Sequence, residues 1–280
     1  MNVGGLAART AARELARQRR RQTVRHVLAR SVLYALATGA SVLCAAPFLW
    51  SLWTAAREVP VEESVRLLRT TAYGSWVAHT LVVGALVTVA TLLLALPAAY
   101  ALSRRRRGGT VGRIVAVLAL APSVLLALPL SWTADALGLG GSLWTLVLVE
   151  PVVTVPVAVL LFGGFLRAVP VDLEEQALVD GHSRLAAFLR VVVPLLRPAI
   201  AAVAVLAFTL AAGDFVYARA LAGTHSTVAA GVPARLDHGT VPLWRALQSG
   251  VVLVAVPLAA AAGLVLERVI AASAAVADRT

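Results

Sequence analysis

Lysine is missing from all 280 residues, so each of the 25 basic side chains is an arginine. That excludes a phosphate-binding loop of the G-x-x-x-x-G-K-[ST] kind, and with it ATP hydrolysis by that route. Charge is scarce as well: Asp and Glu number 14, and charged residues of both signs make up 14% of the chain. A soluble domain of this size cannot solvate its exterior with so little polar surface. The single cysteine, Cys44, allows no internal disulfide. Large Leu43 stands before it in an apolar stretch, so it reads as a small hydrophobe and not as a lipoprotein-type cleavage site. His79, His225 and His238 lack metal-ligand spacing, and neither they nor the serines form a nucleophile constellation. No metal centre or catalytic site is therefore expected.

What is present in excess is hydrocarbon. Hydrophobic residues account for 60% of the chain, and the mean hydropathy is +0.85. A helix needs about 20 apolar residues to cross a bilayer. Six stretches qualify: Ser31–Ala55, Trp76–Ser103, Ile114–Trp132, Ser142–Leu166, Pro198–Phe215 and Ala246–Leu266. Prolines 122 and 129 interrupt the third, and prolines 151 and 156 the fourth. Such breaks are tolerated where neighbouring helices satisfy the freed carbonyls. The fold class expected is an all-α polytopic membrane protein with six transmembrane helices. It comprises a basic segment over 1–30, a membrane domain over 31–270 and a tail over 271–280.

Arginine orients it. Nineteen of the 25 lie in the segments flanking one side of the six spans, with the densest blocks at Arg19–Arg21 and Arg104–Arg107. Positive charge stays inside, which puts both termini in the cytoplasm. The basic N-terminal segment directly precedes a span and lacks interleaved aromatics, so it reads as a retained anchor touching anionic lipid, not as a nucleic-acid arm or a cleaved signal.

One cytoplasmic loop, residues 169–198, carries local signals. Asp172 is a good N-cap with Glu175 three residues on, as a capping box requires. Glu174 and Glu175 fall in the first turn, where the helix dipole favours them. Leu173, Ala177 and Asp180 recur on one face, and Gly181 then ends the helix. Ser183 caps a second helix over Arg184–Val193, which Pro194 stops. The local physics leaves two readings: a helix inserted into a groove on a partner, and an amphipathic connection lying on headgroups.

This loop resembles the signature of the membrane subunits of binding-protein-dependent ABC importers, an acidic-Ala-Ala helix, a glycine and a distal proline. Here it appears as Glu175-Gln176-Ala177, Asp180-Gly181 and Pro194, with Gln176 in place of the usual Ala and His182 in place of a small residue. Looser likenesses narrow the group to carbohydrate (maltose-type) permeases: Pro47-Phe-Leu-Trp50, His79-Thr80 through Ser103-Arg104, Gly213-Asp214-Phe215 and Gly231-Val232-Pro233. The resemblance implies a non-catalytic permease subunit of a bacterial inner-membrane importer, with sugar as the favoured solute. It implies four partners: a second permease, two ATPase subunits that hold the ATP and Mg, and an extracytoplasmic binding protein. Residues 172–181 and Pro194 would form the coupling surface between spans four and five. No cofactor is expected in this chain.

Two acids fall within or at the edge of predicted spans, Glu150 and Asp214. Charge at membrane depth is costly and usually faces a cavity or a partner. Glu150 precedes Pro151, and Thr154 follows one turn later. Carboxylates and hydroxyls suit sugar hydroxyls, so these three residues are candidates for the solute path. The competing readings place Glu150 in the headgroup region or at a subunit seam, and Asp214 in solvent. Other functions remain: import of another small solute such as glycerol phosphate or a polyamine, and a secondary transporter coupled to protons through Glu150.

Overall fold

The computed structural model describes residues 30–54, 57, 65, 69, 72–104, 109–223, 225–236, 256–265, 267 and 268. The predicted tail, 271–280, and residues 1–29 of the N-terminal segment lie outside the described residues. The chain divides into two units, Met1–Glu58 and Val59–Thr280. In the first, α1 (Arg30–Thr54) is a 25-residue apolar helix. Its large side chains, among them Leu43, Phe48 and Trp50, are exposed.

The described residues of the second unit are helical, with no strand among them. In order they form α2 (Tyr73–Ser103), α3 (Gly109–Leu120), α4 (Ser123–Ala136), α5 (Leu143–Val149), α6 (Pro151–Leu166) and α7 (Asp172–Val179). Then follow α8 (Arg184–Leu195), α9 (Arg197–Gly213), α10 (Val216–Leu221), α11 (Val228–Leu236) and α12 (Val256–Val265).

The long helix α2 is the axis of this unit. Its buried residues Val83, Val87, Thr91, Ala95 and Ala99 recur every fourth position, which places them on one stripe. On α9 the stripe is Ala199, Val203, Ala207 and Ala211. Small side chains at this spacing let membrane helices approach closely. At the closest approach, a Cβ on Gly84 would stand 2.8 Å from the ring of Phe208 on α9. α6 packs on the same helix, and Thr91 and Thr154 share a buried hydrogen bond of 2.6 Å. The opposite face of α2 presents Val82, Val89 and Leu93 outward, as a lipid-facing surface requires.

Two apolar clusters lie along α2. Val83 and Val87 join Leu146, Val149, Tyr217 and Leu221 in one, while Ala95 and Ala99 join Phe162, Leu166, Phe188 and Val203 in the other. Beside the first cluster, α11 closes onto the start of α2, where a Cβ on Gly231 would lie 2.5 Å from the indole of Trp76.

Among the described residues three helices are long and apolar enough to cross a membrane, α1, α2 and the run Leu143–Leu166, and up to five spans result if each bent pair counts as one. The third predicted span is no single rod. Gly109–Leu120 and Ser123–Ala136 meet at 94°, because Pro122 takes an extended backbone (ψ 119°) and has no N–H to continue the ladder. The fifth lies within one helix, Arg197–Gly213, and the 76° bend stands before it, where the loop helix Arg184–Leu195 meets that helix. Of the sixth, only its second half, Val256–Val265, is described. The fourth matches expectation: Ser142 caps it by accepting from Trp144 N–H at 3.3 Å, and Pro151 sits in the first turn of α6, where its missing N–H costs nothing.

Candidate functional site

The 169–198 segment folds as helix, glycine turn, helix. Gly181 has φ +85°, the left-handed region that the sequence reading required of it. Its own N–H donates to Leu178 O at 3.1 Å, and His182 N–H donates to Ala177 O at 3.0 Å, the paired bonds that satisfy the last carbonyls of a helix. Ser183 caps the next helix by accepting from Ala186 N–H at 3.2 Å.

Two expectations are corrected here. Asp172 is not the N-cap. Val171 already has helical angles (φ −67°, ψ −31°) and no side chain caps the helix end. Val171 O instead accepts from both Glu174 and Glu175 N–H, at 2.9 and 3.1 Å. The helix begins one residue early, so Asp172 joins Glu174 and Glu175 in an acidic first turn. Pro194 does not stop the second helix. The ladder widens to a π-turn over Phe188–Val192, which relieves the clash between the proline ring and the preceding turn. The chain then runs on to Leu195 before the bend.

The faces of α7 also differ from the expected stripe of Leu173, Ala177 and Asp180. Glu174 (6% exposed) and Ala177 (8%) are the buried pair. The outward side, Asp172, Glu175, Gln176, Val179 and Asp180, lines a surface depression of about 440 Å³. Val179 is 88% exposed. Ala177, expected to meet a partner groove, is covered by the chain itself.

Glu174 is held from α2. Arg104 Nε donates to Glu174 Oε1 at 2.9 Å and to Oε2 at 3.2 Å. An ion pair joins Arg104 Nη2 to Oε1, and Tyr100 Oη donates to Oε2 at 3.0 Å. Sequence reasoning missed both partners, which stand 70 and 74 residues away.

Glu150 and Thr154 sit together at the break between α5 and α6, and Asp214 follows the end of α9. Glu150 is 3% exposed, and its Oε2 has no hydrogen-bond partner among the described residues. Thr154 Oγ1 donates to Glu150 O at 3.3 Å. Asp214 Oδ1 accepts from Tyr217 N–H at 2.9 Å. Tyr217, fully buried, anchors α10 by donating from Oη to Ser123 O at 3.0 Å. Glu150 is thus covered by the chain itself, and Asp214 is partly exposed. A separate apolar groove of about 970 Å³ runs between α2, α9, α11 and α12, with Thr80, Thr88, Phe208 and Thr209 in its lining. Small side chains scattered over four helices gave no local signal of it. Among the described residues no cluster of three His, Cys, Asp or Glu could hold a metal.

Comparison with known proteins agrees with this architecture. A trehalose/maltose transport system permease protein of Thermococcus litoralis is 27% identical over 83% of this chain and 90% of its own length. A sulfoquinovosyl glycerol transport system permease protein of Agrobacterium fabrum is 32% identical over 69% of this chain and 68% of its own. The fold resembles that of a chain in the crystal structure of a bacterial ABC transporter involved in import of the acidic polysaccharide alginate. The TM-score is 0.65 at 17% identity, covering 85% of this chain and 95% of that one. Residues 91–274, more than half of the chain, match the family described as the binding-protein-dependent transport system inner membrane component. The chain belongs to that family of inner-membrane transport components.

Proposed function

We propose that this chain is the membrane-spanning permease subunit of an ATP-driven importer for a sugar or oligosaccharide. The observation that carries the reading is the relationship to a trehalose/maltose permease along nearly the whole of both chains. The helix–glycine–helix loop at Asp172–Leu195 supports it, being a feature with no evident task in a self-sufficient secondary transporter. On this reading the chain performs no bond chemistry. Two ATPase subunits hydrolyse ATP, a second permease completes the path, and an extracytoplasmic binding protein delivers the solute. The arginine distribution supports cytoplasmic termini and a cytoplasmic loop.

The outward side of α7, acidic at Asp172, Glu175 and Asp180 around Val179, is the proposed seat of the ATPase. Gly181 sets the angle between α7 and α8 so that the loop transmits force as a unit. The solute passes Glu150, Thr154 and Asp214 when the bundle opens, their buried polar atoms taking sugar hydroxyls in place of the partner that Glu150 Oε2 lacks. Solubilisation with the neighbouring ATPase subunits tests the reading. The two are expected to co-purify, and solute uptake by the chain without any ATPase would support the secondary-transport alternative instead.

A further inference from the structure

We propose that Arg104 and Tyr100 are positioning residues that clamp α7 to the end of α2, so that α2 carries the motion of α7 to the segment Ser226–Val228 at the far end of the unit. The inference rests on the importer reading above, since it needs an ATPase to move α7. The clamp has the geometry of a rigid joint. Four hydrogen bonds reach one carboxylate whose side chain is 8% exposed, two from Arg104 Nε, one from Arg104 Nη2 and one from Tyr100 Oη. Arg104 is fixed in turn as the residue that caps the end of α2, where its N–H donates to Tyr100 O at 3.2 Å. Its guanidinium lies 5.8 Å from the centre of the Tyr100 ring. Phe188 also packs on Tyr100, with ring centres 4.6 Å apart. Charge-assisted bonds in a low-dielectric setting resist shear better than apolar packing alone.

The alternative route from α7 into the membrane follows the chain, and it is full of compliant joints. It passes Gly181 at positive φ, the π-turn Phe188–Val192 and a 76° bend. The clamp bypasses all three. From Arg104, α2 runs back as one helix, with Pro97 inside it, to Thr80 and His79, about 37 Å at 1.5 Å per residue. There Thr80 Oγ1 accepts from Val228 N–H at 3.0 Å, and His79 Nδ1 lies 3.0 Å from Ser226 O. One helix therefore holds the loop helix at one end and the segment leading into α11 at the other.

The test uses the full complex with its ATPase. Ser226→Cys is introduced in a Cys44→Ser background, and its rate of maleimide labelling is compared with and without ATP. No solute is needed for that readout. Arg104→Met and Glu174→Gln, each close in volume to the native side chain, are each expected to reduce the ATP-induced change about 10-fold, with the ATPase still bound. The double variant should be no worse than either single, because the two residues form one joint. Tyr100→Phe, which removes one hydroxyl, should give a smaller loss and decides the matter if the charge variants fail to accumulate. An unaltered ATP response in Arg104→Met or Tyr100→Phe overturns the clamp while leaving the importer reading intact, as does strict additivity in the double variant. Absence of any ATP response in the parent overturns both.

Discussion

Two glutamates are buried among the described residues, and they are opposites. Glu174, 6% exposed, has both carboxylate oxygens occupied by Arg104 and Tyr100. Glu150, 3% exposed, keeps an oxygen without a partner among the described residues. A buried carboxylate with its partners in place is a joint, whereas one without them is a cost carried for another purpose. The first stabilises the resting fold. On the importer reading proposed above, the second gains its partner when solute arrives.

That contrast can be broken by stability measurements. Glu174→Ala strands the Arg104 guanidinium, which is itself mostly covered, and should cost about 3 kcal/mol, read as a lower thermal midpoint in detergent. Gly181→Val forces a β-branched residue into φ +85° and should cost about 2 kcal/mol. Nothing stands within 4 Å of the added Cβ, so the loss is backbone strain alone. It should abolish transport while membrane insertion persists. Glu150→Gln should move the other way. Replacing an unpartnered buried acid with a neutral amide should leave the midpoint unchanged or raise it by about 1 kcal/mol equivalent, while uptake falls. A destabilised Glu150→Gln with normal uptake would make the two glutamates alike and remove Glu150 from the solute path. The smallest stability effect belongs to Val179→Arg on the exposed side of α7. The midpoint should not move, and ATPase retention during purification should drop. Ala177→Arg does not serve that purpose, because Ala177 is buried and the variant would disrupt the chain's own packing.

Local signals in the sequence were read correctly where the cause was local. Gly181 needed a conformation open to glycine, Ser183 had a free backbone N–H three residues on, and Ser142 opened the fourth span. The failures came from competition between neighbours. Asp172 lost the cap because Val171 was already helical, and Pro194 was absorbed by widening the turn before it. Pro122, visible in the sequence, bent the third span far more than an apolar run suggests. The partners of Glu174 lay beyond any periodicity, since nothing local links a carboxylate to an arginine 70 residues earlier. Glu150 was legible as an acid in an apolar run, but its missing partner was not.

The central claim is that this chain imports sugar only as part of an ATP-driven assembly. Proteoliposomes holding the chain with its second permease and ATPase subunits, supplied with binding protein and labelled trehalose, test it most directly. The account predicts accumulation that requires ATP and each partner. Accumulation by the chain alone, driven by a proton gradient without ATP, would contradict it.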